Sequence, residues 1–274
     1  MNDKLNEMKK AIFITVRTGS TRLPRKCLLR IDGLTTIEYL IERLKRSKLA
    51  NLIIVCTTQL SEDDVLCQIA RDQRIQNFRG PVEDKLTRWL GAAERFGVEF
   101  FVTADGDDLF CEPALIDLAF EQYQSNHPDF IEAPNVPCGA FTYGIKAIAL
   151  KKVCEIKDTN DTEMMWVYFK QTGFFKVEQL QNIPAIYNRP EIRMTLDYPD
   201  DFKFFRSVIE GLGATKKEFD LADIIKYLDR NPHIVKINQY LQKQFEENQR
   251  RKTKLVLKKD KICVTQPAGT TATS

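Results

Sequence analysis

Short apolar runs recur along the chain, separated by segments whose apolar positions repeat at helical spacing. The first run, residues 11–16 (AIFITV), is continuous and suits a buried strand. Residues 37–47 carry Ile37, Leu40, Ile41 and Leu44 on one helical face, and 52–57 (LIIVCT) is a second continuous run. A helix over 62–72 with Ser61 as its N-cap, a short extended piece around Phe78, a helix over 81–96 and a third strand over 98–103 follow. Further on, the pattern predicts a helix over 115–124 and strand-like pieces at 130–131 and 144–149, separated by a Pro/Gly-rich loop at 133–142. A helix over 162–170 and extended segments at 174–180 and 191–196 come next, then helices over 200–210 and 221–231, the first ended by the glycines of 211–213.

Strands alternating with helices imply an α/β protein with a doubly wound, mostly parallel sheet. Ligands of such sheets sit outside the carboxyl ends of the strands. The two extended segments at 174–193 read as a small antiparallel excursion from that sheet. One domain is expected over 1–241, and 242–274 turns charged and reads as a tail, loosely packed or partly disordered.

Composition narrows the partners. The chain has 274 residues, 41 Lys and Arg against 38 Asp and Glu, and a net charge of +3, so neither nucleic acid nor an anionic membrane is an expected partner. The seven cysteines form no C-x-x-C, and several lie inside apolar runs, as small buried hydrophobes in a reducing compartment do. No run approaches the roughly 20 apolar residues of a membrane span, and 1–10 lacks a signal-peptide core. A cytoplasmic protein is expected.

The chemistry concentrates where the first strand ends. Arg17-Thr18-Gly19-Ser20-Thr21-Arg22 is a flexible polar turn, and Leu23-Pro24-Arg25-Lys26 adds a further cation. Guanidinium groups grip phosphate oxygens in pairs, an ammonium acts as a mobile point charge, and the turn amides of Thr18, Gly19 and Ser20 can donate to a polyphosphate. The loop is neither a Walker A sequence nor G-x-G-x-x-G. A second cluster, Asp105-Gly106-Asp107-Asp108, follows the third strand and reads either as a magnesium site or as capping and solvated turn acids. Thr57 ends the second strand on the same edge, where it can contact a base or simply close a turn.

The stretch R-T-G-S-T-R-L-P-R-K-C-L resembles the signature of nucleotidyltransferases that make activated sugars. It is most similar to the SpsF-like cytidylyltransferases, relatives of the CMP-sialate and CMP-Kdo synthetases. FRGPVEDKL, TADGDDLFCEPALID, RMTLDYPDDF and FDLADIIKYL extend the resemblance over about 11–241. It implies a Rossmann-like fold of the nucleotide-diphospho-sugar transferase type. The implied activity transfers CMP from CTP to a sugar acid or sugar phosphate and releases pyrophosphate, in polysaccharide biosynthesis. By the same resemblance Arg17, Arg22 and Lys26 are catalytic, Arg79 and Gly80 join the nucleotide site, and Asp107 and Asp197 hold Mg²⁺ or Mn²⁺. Asp105 stands where the family commonly has a neutral residue; it is placed with the nucleotide site, as an acceptor for metal-bound water. Asn135, Glu163 and Arg193 would face the acceptor, and a homodimer is implied. Arg88 lies four residues after Asp84, as in an i,i+4 ion pair. Two other readings stay open: a metal-dependent glycosyltransferase, since Asp105-Gly106-Asp107 is a D-x-D, and a non-catalytic nucleotide- or sugar-binding homologue.

Overall fold

The computed structural model describes residues 9–214 and 218–259. In chain order its elements are β1 (Lys10–Thr15), β2 (Arg30–Ile31), β3 (Leu34–Thr35), α1 (Thr36–Leu44), β4 (Leu52–Thr58), α2 (Asp64–Asp72), β5 (Gln76–Gly80), α3 (Lys85–Phe96) and β6 (Phe100–Asp105). They continue with α4 (Pro113–Asn126), β7 (Phe130–Glu132), β8 (Tyr143–Lys146), α5 (Ala147–Ile156), α6 (Trp166–Lys170), β9 (Val177–Gln179), α7 (Pro199–Gly213), α8 (Leu221–Arg230), α9 (Pro232–Val235) and α10 (Leu241–Lys252).

The main sheet runs β5-β4-β1-β6-β8-β7-β9. β1 pairs parallel with both β4 and β6, and β8 enters antiparallel beside β6 and β7. Side chains alternate across the sheet as the pleat requires. Ile12 and Ile14 of β1 join the core built with α1, α4, α7 and α8, while Ala11 and Phe13 join the opposite core with α3, α5 and α6. Phe13 stacks on Phe101 of β6 with ring centroids 4.1 Å apart, which ties the two strands on that face. The chain leaves β1 toward β4 on one side and later returns to β6 on the other. The strand order therefore reverses between β1 and β6, and a crevice opens at their carboxyl ends.

Several elements differ from the sequence reading. Ser61 does not cap a helix: Ser61–Asp63 is a 3₁₀ turn, and α2 begins at Asp64. α3 begins four residues later than expected, with the Asp84 carboxylate accepting from Thr87 N, and residues 81–84 form a bend before it. Residues 147–149 are not strand but the first turn of α5, whose Ala149, Leu150, Val153 and Ile156 are buried. The helix around 166 spans only Trp166–Lys170. The 211–213 glycines do not stop α7, which runs through Gly213; a Cβ on Gly211 would sit 1.9 Å from Tyr227 Oη, so this glycine is there for close helix packing. The 174–193 stretch supplies one edge strand, β9, and it pairs parallel with β7. Among the described residues the two-stranded antiparallel sheet is β2–β3. Among the described residues no helix is long and apolar enough to cross a membrane.

Residues 242–259 are not loose. α10 lies along the crevice, Leu255 and Leu257 pack on the α3/α5/α6 core, and Leu257 bridges to Lys157. The part of the tail from 260 onward, Cys263 included, lies outside the described residues.

Candidate active site

The crevice has a volume of about 640 Å³ and is walled by the 15–27 loop, the 105–108 turn, the 133–143 loop, residues 163–166 and α10. Its phosphate side starts where β1 ends. Gly106 N donates to Thr15 O at 2.8 Å, and a Cβ on Gly106 would meet the Val16 side chain at 2.6 Å, so only glycine lets the two strand ends approach this closely. The loop after β1 is pinned by Asp63. One Asp63 oxygen accepts from both Thr18 N and Thr18 Oγ1 at 2.7 Å, and the other accepts from Thr58 Oγ1. Arg25 then adopts the left-handed conformation (φ 51°) and turns the chain into the 3₁₀ turn Lys26–Leu28.

That turn delivers the Lys26 ammonium between two carboxylates: 2.5 Å to Asp107 Oδ2 and 2.9 Å to Asp197 Oδ1. Asp107 follows β6, while Asp197 ends an extended segment far along the chain. The backbone also joins them, since Leu196 N donates to Asp107 O at 2.9 Å. Arg22 pairs with the same Asp197 oxygen as Lys26 and lies 5.3 Å from the Tyr198 ring. From beneath, Arg193 Nη2 reaches Asp197 Oδ2 at 3.3 Å, and Arg193 is itself held by both oxygens of Asp201 at 2.9 and 3.0 Å. Asp201 also accepts from the backbone N–H groups of Asp197 and Tyr198 at 2.9 and 3.0 Å.

Burial disfavours the charged form of these acids, and their neighbours decide the outcome. Asp107 is pushed up by burial, against the pull of Lys26. Burial also drives Asp108 well above the usual carboxylate range, helped by the charges of Asp107 and Asp105. Burial opposes ionisation of Asp197 too, but Lys26 and Arg22 outweigh it and hold its carboxyl at about 2. The oxygens of Asp105, Asp107 and Asp108 lie within 4.8 Å of one another. These hard oxygen donors suit Mg²⁺ or Mn²⁺, and the ammonium already drawn in between Asp107 and Asp197 shows that the position selects positive charge.

Of the residues singled out from sequence, Arg17, Gly19, Ser20, Arg22, Lys26, Asp105, Asp107, Glu163 and Asp197 line the crevice. Arg22 and Lys26 were expected to point at phosphate; here they rest on carboxylates. The remaining six do not line it. Thr18 is buried and turned onto Asp63, and Thr57 is buried in β4. Arg79 is folded back on Thr58 O, Leu60 O and Asp64. Gly80 is buried against Arg88, whose side chain a Cβ there would meet at 2.8 Å. Asn135 is exposed at a loop tip. Arg193, only 1% exposed, buttresses Asp197 and does not reach an acceptor. Asp84 does not pair with Arg88. It binds Lys157 Nζ at 2.5 Å, and Arg88 donates to Pro81 O and Val82 O and lines the crevice.

The sequence reading missed Asp63, Asp201 and α10. Asp63 and Asp201 looked like helix-start acids, and their work is done across distant segments. For α10 a signal existed, since Leu241 and Phe245 stand at i,i+4.

A doubly wound sheet whose switch-point crevice sets fixed cations beside clustered carboxylates defines a nucleotidyltransferase. The chain belongs to the cytidylyltransferase family, whose family model matches residues 11–262. It is 32% identical over 88% of its length to an uncharacterized protein of Methanocaldococcus jannaschii, covering 99% of that protein. It is 25% identical to the spore coat polysaccharide biosynthesis protein SpsF of Bacillus subtilis, covering 85% of this chain and 96% of that protein. Among solved structures, a cytidylyltransferase from Leptospira borgpetersenii superposes with a TM-score of 0.76 at 28% identity, covering 83% of this chain and 97% of the other.

Proposed function

We propose that this enzyme transfers CMP from CTP to a sugar acid or a sugar phosphate. The observation that carries the reading is the Lys26 ammonium bridging Asp107 and Asp197, with Arg22 on the same carboxylate, at the mouth of the β1–β6 crevice. Four groups from distant parts of the chain converge there. A protein that only bound sugar would gain nothing from burying two carboxylates beside two cations. A glycosyltransferase needs its D-x-D acids but no loop of loop-borne cations and turn amides for a triphosphate.

In the reaction an oxygen of the acceptor forms a bond to the α-phosphorus, the bond to the bridging oxygen breaks, and pyrophosphate leaves. No covalent enzyme intermediate is required. Arg17, Arg22, Lys26 and the amide of Gly19 bind the triphosphate and offset the charge that builds on it, while the Ser20 amide, expected to join them, donates to Thr18 O at 2.9 Å. Asp107 and Asp197 would hold a divalent cation, with Asp105 accepting from its water shell; such an ion neutralises phosphate charge when bound. Arg193 and Asp201 fix Asp197, and Asp63 fixes the loop. Glu163 belongs to the acceptor side.

Supply of CTP favours a cytoplasmic enzyme. A homodimer belongs to the same proposal: β9 ends the sheet, and Phe174 beside it is 48% exposed. The apolar side chains Leu180, Tyr187 and Ile192 nearby are buried within the chain itself, so the dimer rests on the sheet edge and Phe174, not on a broad apolar patch. The test is pyrophosphate release from CTP, UTP, ATP and GTP against a panel of sugar acids and sugar phosphates. Release from CTP with one acceptor class is expected; release from another nucleotide alone overturns the cytidylyl assignment.

A further inference from the structure

The crevice has a wall that the phosphate chemistry leaves unused. α10 lines it with Gln242, Phe245, Glu246, Asn248, Gln249 and Lys252; Gln242, Phe245, Gln249 and Lys252 stand at the i, i+3, i+7 and i+10 spacing of one helical face, and the Glu246 carboxylate accepts from Gln242 Nε2 at 2.9 Å. A helix that merely covers a core turns an apolar stripe inward. Here the inward face is mostly amides and charge, and Leu241 is the one buried residue of the helix.

The helix is held by its footing on the catalytic carboxylate's support. The Phe245 ring lies 4.6 Å from the Arg193 guanidinium, and Gln242 Oε1 accepts from Arg193 Nη1 at 3.4 Å. Asn248 Nδ2 donates to Tyr198 Oη at 3.4 Å. At its far end Lys252 Nζ crosses the crevice to Glu163, at 3.1 and 3.2 Å from the two oxygens. Both partners of that ion pair are nearly half exposed, so the pair is inexpensive to open. Trp166, three residues after Glu163 and lining the same crevice, supplies an apolar plane.

We infer that α10 and residues 163–166 form the acceptor subsite, and that Lys252 leaves Glu163 to bind the anionic group of a polyhydroxylated sugar. This rests on the cytidylyltransferase reading above. Amide side chains both donate and accept, as hydroxyl groups demand. Trp166 and Phe245 suit the apolar face of a sugar ring. An ammonium so easily separated suits one carboxylate or one phosphate, and Lys85 lines the same crevice. Glu163 then competes with the acceptor for Lys252, so it acts as a brake on acceptor binding.

The test uses the full-length protein with CTP and four probes: 3-deoxy-manno-octulosonate, N-acetylneuraminate, glucose 1-phosphate and, as a neutral control, glucose. Pyrophosphate release gives the KM for each probe, and calorimetry without acceptor gives the Kd for CTP. The wild type is expected to use at least one anionic probe and not glucose. Loss of one charge-assisted contact in Lys252→Met should raise the KM for that probe about tenfold, with the Kd for CTP unchanged. Glu163→Gln should move the same KM the opposite way, downward. An increase in both variants, or in neither, overturns the brake and the assignment of Lys252. Preference for glucose overturns the anionic class. If CTP binds but no probe releases pyrophosphate, the subsite is wrong while the nucleotide site stands; if CTP does not bind the wild type, the underlying reading falls and this inference with it.

Discussion

Replacing Lys26 by methionine keeps an unbranched side chain, one atom shorter, and removes the charge that lies between Asp107 and Asp197. From sequence such a variant would be expected to lose turnover and keep its stability. The structure changes that expectation, because the Lys26 side chain is only 15% exposed and its ammonium makes two charge-assisted hydrogen bonds at 2.5 and 2.9 Å. Removing one partner from a buried ion pair costs about 3–5 kcal/mol. Arg22 and Arg193 remain on Asp197, and Asp107 is already pushed toward its neutral form by burial, so the loss should fall at the lower end, about 3 kcal/mol. For a chain of this size that lowers the melting temperature by roughly 6–12 °C. The assay is thermal unfolding in EDTA and again in millimolar MnCl₂, without nucleotide. In the variant a divalent cation can take the place of the ammonium, so Mn²⁺ should restore much of the loss. An ion present at a hundred times its Kd returns about 2.7 kcal/mol. The wild type, with Lys26 in place, should respond far less. A variant that melts within about 2 °C of wild type in EDTA, or an equal Mn²⁺ response in both proteins, would refute the reasoning.

Three further outcomes follow from the same geometry. Asp107→Asn and Asp197→Asn should each lower kcat with CTP by about 10²–10³-fold, and EDTA should stop the wild type until Mg²⁺ or Mn²⁺ is added back; unchanged kcat in either variant removes that carboxylate from the site. Asp63→Ala should cost about 2–4 kcal/mol and weaken CTP binding, since it releases the 17–25 loop. Burial raises the Asp63 carboxyl, but donation from Thr58 and Thr18 outweighs it and leaves the group below its ordinary value. Its contribution is complete above about pH 4 and fades as the pH falls below that, so the variant's stability should be flatter in acid than that of the wild type, measured by urea unfolding between pH 3 and 6. Light scattering at micromolar concentration should find a dimer that Phe174→Asp weakens, and a monomeric wild type would dispose of the sheet-edge contact.

The strands of the fold were legible because β1, β4 and β6 are continuous apolar runs, which only a sheet covered on both faces accommodates. The loop at 17–26 and the acids at 105–108 were legible because each follows such a run at the ligand-bearing edge. What escaped depends on contacts between distant segments. Asp63 sits in the first turn of an expected helix, yet its oxygens serve Thr18, 45 positions away. Arg193 reads as a free cation and is enclosed by Asp197, Asp201 and Phe245. The charge-rich composition of α10 suggests a solvated tail, and only the crevice it walls explains the amides on its inner face. α5 is a different case: Ala149, Leu150, Val153 and Ile156 already show helical spacing, and the β-like run before them masked it.

The backbone bond from Leu196 N to Asp107 O settles the spacing of the two acids independently of any side chain. The extended segment that carries Asp197 is stitched to the opposite wall again at Met194 N–Cys138 O (2.8 Å) and Cys138 N–Ile192 O (3.1 Å), where Gly139 lies so close that a Cβ would fall 2.1 Å from Met194 O. The spacing of the two acids is thus set by main chain, and the proposed acceptor wall is side chains of α10 and of residues 163–166. Such a division lets descendants of one ancestor trade acceptors by rewriting a single helical face while the frame is inherited intact. A designer seeking a new acceptor would begin on α10 and leave residues 105–108 and 192–197 alone.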